Sequence, residues 1–345
     1  MRFYKLIFLL TVFLLLVSCE QESFDDFFKL KGASMGTIWH LTVVNPPTKL
    51  RSESLRINIV ERLRKLNDQM STWKTDSELS NFNRYTKKEW FSVSQEVLTV
   101  MTKAQTISEM TEGAFDVTVA PLVQLWGFSD SYQFEFIPPN EKQIQHYRMQ
   151  MGYQKLRLQQ NPSALAKTEV HLSVDVSAIA KGYAVDLIAD YLEKIGVERY
   201  LIEIGGEIRC SGLNARQEAW RIAIESPINI AESNKVIQQG LYLKKGALAT
   251  SGDYRNFFDY KGKRYSHTIN PLTGYPVAHQ LASVTVMANT TMEADALATA
   301  LMVMGENKGF DFAREKNIAA YFIFRVKKGF ESKATDGFKA LLALK

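Results

Sequence analysis

The sequence predicts an α+β fold. Three observations carry that prediction: helical periodicities are grouped early, β-type segments are grouped late, and no regular alternation of strand and helix connects them. Residues 54–70 place Leu55, Ile59, Val60, Leu63, Leu66 and Met70 at helical spacing, and residues 95–111 repeat the pattern with Val97, Leu98, Met101, Ala104 and Ile107. Both should form amphipathic helices. From 168 the pattern turns strand-like, with Val170, Leu172 and Val174 alternating, and a helical segment follows from about Ala178 to Ile195. Further β-type segments lie around 199–211, 219–225, 241–250, 254–269 and 281–288, with Lys261-Gly262 as a hairpin turn between two of them. A helix from about Thr291 to Met304 comes next, and Thr290 with Glu293 three residues on has the form of a capping box. Leu297, Ala300, Leu301 and Met304 can form its buried stripe.

At 345 residues, 46% hydrophobic and 23% charged, the chain can bury a large core in one domain or two intimate ones. Its charge of +5 comes from 42 basic and 37 acidic residues spread along the whole length, with no basic run or aromatic-interleaved basic stripe. Nucleic acid is therefore not an expected partner. The two cysteines, Cys19 and Cys210, can build neither a disulfide framework nor a thiolate metal cluster within one chain.

Arg2 and Lys5, then an apolar run from Leu6 to Val17, form a basic n-region and an h-region too short to span a bilayer. Residues 1–18 are thus read as a signal peptide. Leu16-Val17-Ser18-Cys19 resembles the bacterial lipobox, which makes Cys19 the expected site of lipidation; the plainer reading is an ordinary signal peptide with an incidental cysteine. Acyl chains on Cys19 would anchor the mature protein stably, facing the periplasm or the extracytoplasmic side. Residues 19–26 then form a short polar tether, and the folded domain runs from 27 to 345. Cys210 is left without a partner and reads as a small buried apolar residue.

Four segments carry candidate chemistry. Asp295 and Thr299 stand four apart on one face of the late helix, a pair of hard oxygen ligands suited to magnesium. From spacing alone, an Asp complementing the helix dipole beside a solvated Thr is the favoured reading. The stretch from Asp175 to Ala184 leaves a strand and opens a helix, where free amides attract phosphate and Lys181 adds charge, although Asp175 can equally be a cap. Gly205-Gly206 reads first as a tight turn. Residues 249–276 are dense in polar and aromatic groups, as a site wall is, and hold His267, one of five histidines and a candidate general base.

Taken together these segments resemble the ApbE family of FAD:protein FMN transferases over roughly residues 32–310. The blocks that carry the resemblance are Ser34-Met35-Gly36-Thr37, Met70-Ser71-Thr72-Trp73, Gly113-Ala114-Phe115-Asp116-Val117-Thr118, Asp175 to Gly182, Ile204-Gly205-Gly206-Glu207, Thr250-Ser251-Gly252-Asp253, Ser266-His267-Thr268-Ile269-Asn270-Pro271, and Ala294-Asp295-Ala296-Leu297-Ala298-Thr299. The resemblance implies a T-fold-like mixed sheet with packed helices. It implies Mg2+ held by Asp295 and Thr299 with backbone carbonyls, first Ala178 and then Ala298. It implies FAD as substrate, contacted by Met35, Trp73, Ala114, Phe115, Asp116, Asp175, Lys181 and Ile269. Asn270 stands where many relatives carry Asp, which removes a charge near His267.

The implied reaction moves FMN from FAD to a threonine or serine hydroxyl of a target protein and releases AMP. The resemblance implies acceptors in membrane redox complexes such as the sodium-pumping NADH:quinone oxidoreductase, beside which a membrane anchor would gain local concentration. His267 is the first candidate for the base that takes the hydroxyl proton, and Asp253 the second. Two other readings stand beside transfer: FAD pyrophosphatase activity giving FMN and AMP, and a lipid-anchored flavin-binding protein without chemistry.

Overall fold

A computed structural model describes residues 26–129, 136–228, 236–254 and 256–342. The signal peptide, Cys19 and the tether up to residue 25 lie outside the described residues. Strands β1 (Phe27–Ser34) and β2 (Thr37–Val44) form a hairpin whose two turn residues, Met35 and Gly36, have φ of 52° and 71°, the double positive φ that matches strand twist. Helices α1 (Ser52–Met70), α2 (Glu78–Arg84), strand β3 (Phe91–Ser92), and helices α3 (Gln95–Met110), α4 (Ala120–Leu125) and α5 (Glu141–Gln150) follow. Then come β4 (Leu156–Gln159), β5 (Ala164–Lys167), α6 (Ala180–Lys194), β6 (Arg199–Ile204), β7 (Glu207–Ser211), β8 (Trp220–Glu225), β9 (Ile237–Leu243) and β10 (Lys245–Gly252). The chain ends with β11 (Phe257–Tyr260), β12 (Lys263–Ser266), β13 (Leu281–Ala288), α7 (Thr291–Met304), α8 (Lys308–Glu315), β14 (Ala319–Val326), β15 (Gly329–Ala334) and α9 (Asp336–Leu342).

Eight strands make one sheet in the order β1-β2-β6-β7-β10-β13-β14-β15. Every pairing in it is antiparallel, where the resemblance implied a mixed sheet. Hairpins explain three of the pairings, since β1–β2, β6–β7 and β14–β15 each return through a tight turn. Alternation along the strands builds two cores. Trp39, Leu41 and Val43 of β2 and Tyr200, Ile202 and Ile204 of β6 face helices α1, α3, α6 and α7. Val44, Cys210, Leu248, Tyr321 and Ile323 face the other way, where the separate hairpin β8–β9 and α9 cover them. Each such side chain contributes about 1.5–3 kcal/mol when fully buried. The α+β expectation is met.

Individual elements sharpen the reading. The two early helices begin within two residues of the expected positions and bury every named apolar residue except Val60, which is 42% exposed and falls off the stripe. Lys261 and Gly262 turn β11 into β12 with φ of 50° and 74°. The segment expected at 241–250 is two strands parted at Lys244. Helix α7 is buried nearly all round rather than along one stripe, because it lies between the sheet and its neighbours α3, α6 and α8. Its capping box is half made: Thr290 accepts from the Glu293 amide, while the Glu293 carboxylate pairs with Lys103 at 3.6 Å.

One strand expectation is corrected. Leu172 and Val174 are buried, but residues 172–176 pair with no strand. Side chains serve instead. The Val174 amide donates to Asn83 Oδ1 at 2.8 Å, Asn83 Nδ2 donates to the Val174 carbonyl at 2.9 Å, and Lys167 Nζ donates to the Leu172 carbonyl at 2.8 Å. Alternation reported which residues go inward, and extended chain satisfies it without a ladder.

Candidate active site

The site is organised by an exchange between α6 and α7. Asp186 of α6 accepts from the first two amides of α7, Thr291 N at 2.9 Å and Met292 N at 2.8 Å. Asp295 of α7 returns the contact, its Oδ2 accepting from Gly182 N at 3.0 Å. Each carboxylate satisfies amides that a helix start leaves open, and each sits in the positive end of the other helix's dipole. The approach is so close that a Cβ on Gly182 would stand 2.4 Å from the Thr291 carbonyl oxygen.

This exchange prepares a backbone donor. The Gly182 amide would serve the Ala178 carbonyl in a regular helix, but it points at Asp295, while the bonds of helical spacing on either side run from Ala180 N to Val176 O and from Tyr183 N to Ile179 O. The Ala178 oxygen is thereby released at the helix mouth. Ala298 is placed differently, fully buried in mid-α7, where its carbonyl belongs to the helix ladder. Thr299, half-buried, follows Asp295 by one turn. Asp295 Oδ1, the Thr299 hydroxyl and the Ala178 carbonyl are all hard oxygens. Among the described residues no three His, Cys, Asp or Glu side chains gather as a metal group. A magnesium ion fits such a set, because it takes one or two carboxylates and completes its shell with water and substrate phosphate. Burial lifts the Asp295 carboxyl above its usual range, and the charge of Lys181 and the Gly182 amide pull it back towards ionisation.

Lys181 extends from the first turn of α6 to Glu207 Oε1 at 2.5 Å. Glu207 opens β7 immediately after the Gly205-Gly206 turn, whose φ values of 65° and 106° bear out the turn reading. The same turn abuts the β1–β2 hairpin, since Gly205 N donates to the Ile38 carbonyl and a Cβ on Gly205 would meet Thr37 at 2.9 Å. Met35 is held at positive φ in that hairpin. Asn67 near the end of α1 donates to Ser34 Oγ, and just beyond α1 Trp73 offers a ring that is 65% exposed.

His267 follows β12. Its Nδ1 lies 3.0 Å from the Asn256 carbonyl, which can only accept, so Nδ1 carries the proton and Nε2 presents a lone pair. Burial pushes the imidazole below its ordinary pKa, the Asn256 contact and the charge of Asp253 oppose that, and Lys181 adds to it. The histidine is thus a neutral base in reach of the fields of Lys181 and Asp253. Asp253 itself is engaged: Arg325 holds both its oxygens, at 2.6 and 3.0 Å. That pairing commits both Asp253 oxygens to a guanidinium, whereas His267 Nε2 has no such partner among the described residues.

The remaining expected residues have their own local partners. Asp175 accepts from Ser177 N at 2.7 Å, so it caps the turn before α6, and its amide donates to the Val117 carbonyl, joining that turn to the 114–118 block. In that block the Ala114 and Phe115 side chains are buried. Asp116 is buried and accepts from Thr118 N, Thr118 Oγ1 and Tyr153 N, and burial holds its carboxyl above the usual range against those bonds. It also lines a cleft of about 350 Å³ with Gly113, Arg148, Tyr153 and Leu272. Ile269 is buried in a bridge to Pro276, and Asn270 Oδ1 accepts from Leu272 N, a task for which an uncharged amide serves as well as a carboxylate. Sequence reasoning missed Glu207 and Asp186 as site residues. An acid between Val185 and Leu187 on an apolar helix face was the available signal for Asp186.

The ApbE family model matches residues 35–322 of the chain. An FAD:protein FMN transferase of Vibrio cholerae is 43% identical over 331 residues, 96% of each chain. One of Haemophilus influenzae is 39% identical over 334 residues, 96% of this chain and 95% of its own. Among solved structures, the flavin transferase ApbE from Vibrio cholerae superposes with a TM-score of 0.83 at 42% identity, covering 92% of this chain and 100% of its own. The apo form of a Pseudomonas stutzeri flavinyl transferase ApbE gives 0.84 at 36% identity, covering 93% and 98%.

Proposed function

The chain belongs to the ApbE family, and from that membership we propose that it catalyses magnesium-dependent transfer of FMN from FAD to a threonine or serine hydroxyl of an acceptor protein. What supports this reading is the Asp295 carboxylate against the first turn of α6, Lys181 in that same turn, and a His267 whose imidazole feels the Lys181 charge. When bound there, a magnesium ion would supply positive charge to the pyrophosphate and lower the cost of bringing an oxygen nucleophile to it. Asp295 and Thr299 would hold it through side-chain oxygens, and Ala178 through its carbonyl.

The residues of the chain supply the rest. Lys181 sets an ammonium against the phosphates, and the open amides at the start of α6 add to it. Trp73 presents a flat face for stacking on a ring of the dinucleotide. His267 Nε2 accepts the proton of the acceptor hydroxyl as its oxygen bonds to the phosphorus of the FMN half, and the bond to the departing AMP breaks. The product is a phosphoester between FMN and the acceptor side chain, with AMP and one proton released.

The order of basic residues, apolar run and Cys19 supports lipid attachment at Cys19 and work at the extracytoplasmic membrane face, beside redox complexes that offer the acceptor. Among the described residues no helix is long and apolar enough to cross a membrane. Replacing Asp295 by Ala tests the metal assignment: magnesium-dependent turnover should vanish, and a variant with full activity would show that the ion is held elsewhere.

A further inference from the structure

Glu207 is 2% exposed, and only one of its carboxylate oxygens has a partner. Oε1 takes the Lys181 ammonium, while Oε2 is buried without any hydrogen bond. A half-satisfied buried carboxylate is a cost to folding, so stability does not account for it. Its surroundings do. Lys181 lies between two acids, because its charge acts on both Glu207 and Asp295, and Asp295 in turn pushes the Glu207 carboxyl upward along with burial. An ammonium resting on Asp295 would neutralise the carboxylate that the metal reading assigns to magnesium and would occupy its open oxygen. The ammonium and a divalent cation would compete for that carboxylate and repel each other.

We propose that Glu207 is a positioning residue that draws the Lys181 ammonium away from Asp295 and so keeps that carboxylate open to a divalent cation. Gly205 makes the arrangement possible: at φ 65° it turns β6 into β7, and a Cβ there would stand 3.4 Å from Glu207 Oε2. The inference rests on the magnesium reading of Asp295, and direct metal binding tests the two separately. Mn2+ binding to the full chain, followed by electron paramagnetic resonance without FAD, is the readout. Glu207→Gln keeps the side-chain volume and removes the charge, and it should weaken Mn2+ binding by about tenfold or more as Lys181 settles on Asp295. Adding Lys181→Met to that variant removes the competing ammonium and should restore binding to within about threefold of Lys181→Met alone. A merely structural Glu207 would give losses that Lys181→Met does not reverse, and that result overturns the inference. Glu207→Met gives a second variant in which the same loss and the same restoration are expected. Unchanged binding in Glu207→Gln with lost binding in Asp295→Ala overturns the role of Glu207 and leaves the metal reading standing, whereas unchanged binding in Asp295→Ala overturns both.

Discussion

Replacing Asp186 by Asn probes the α6–α7 exchange that shapes the site. The substitution keeps the shape of the side chain but turns one of two acceptor oxygens into an amide that faces an N–H of Thr291 or Met292. One charge-assisted bond is lost, a buried donor is left facing a donor, and the dipole of α7 loses its anion, for a cost of about 2–4 kcal/mol. At the entropy of unfolding of a domain this long, that is a fall of about 3–6 °C in Tm. The loss includes the Asp186 ion pair with Arg209 Nη1 at 3.0 Å, although Asp190 and Glu193 remain within 3.2 and 3.3 Å of that guanidinium. Asp190→Asn is the control, with a side chain 68% exposed and an expected change within about 0.5 kcal/mol. Differential scanning calorimetry reads both, and Asp186→Asn should also raise the magnesium concentration needed for half-maximal turnover, since Asp295 follows Met292 within one turn. Equal midpoints for the two variants would refute the argument that Asp186 caps α7.

Three further outcomes follow from the geometry. Trp73→Ala removes an exposed ring and should raise KM for FAD by about tenfold, the worth of one aromatic stack of about 1–1.5 kcal/mol, with Tm unmoved; a fall in Tm instead would give Trp73 a structural role. His267 is held below its ordinary pKa by burial, so it is neutral through the ordinary histidine range and the transfer rate should decline only on the acid side of that range; His267→Gln should lose that acid limb and about 10²–10⁴-fold in rate, and persistence of the limb would assign it to another group. Burial pushes the Cys210 thiol up to about 12, so a maleimide should leave it unmodified near neutral pH until the protein is unfolded; prompt labelling of the native chain would contradict the buried assignment.

What the sequence made legible was whatever depends on neighbours in the chain. Leu55 to Met70 and Val97 to Ile107 announce their helices because one helix face recurs every three to four residues, and Lys261-Gly262 announces its turn because Gly262 accepts positive φ at no steric cost. What stayed hidden depends on partners far away. Val170 to Val174 alternates as a strand does, but its hydrogen bonds come from Asn83, 91 residues earlier, and no local pattern says so. Asp295 alone read more simply as a dipole-complementing acid; the bond to Gly182, 113 residues away, is what links it to the released Ala178 carbonyl. Strands β14 and β15 and helices α8 and α9 lie beyond the last expected element, and Ala319 to Val326 enters the sheet beside β13. The family blocks pointed to Lys181 and His267, and the fold puts the charge of the first within reach of the imidazole of the second.

The most direct test of the account is mass spectrometry of an acceptor protein incubated with this chain, FAD and magnesium. The account predicts FMN on one acceptor threonine or serine, AMP released in equal amount, and loss of both in Asp295→Ala. Free FMN and AMP accumulating while the acceptor stays unmodified would contradict transfer and leave hydrolysis of FAD as the reaction of this site.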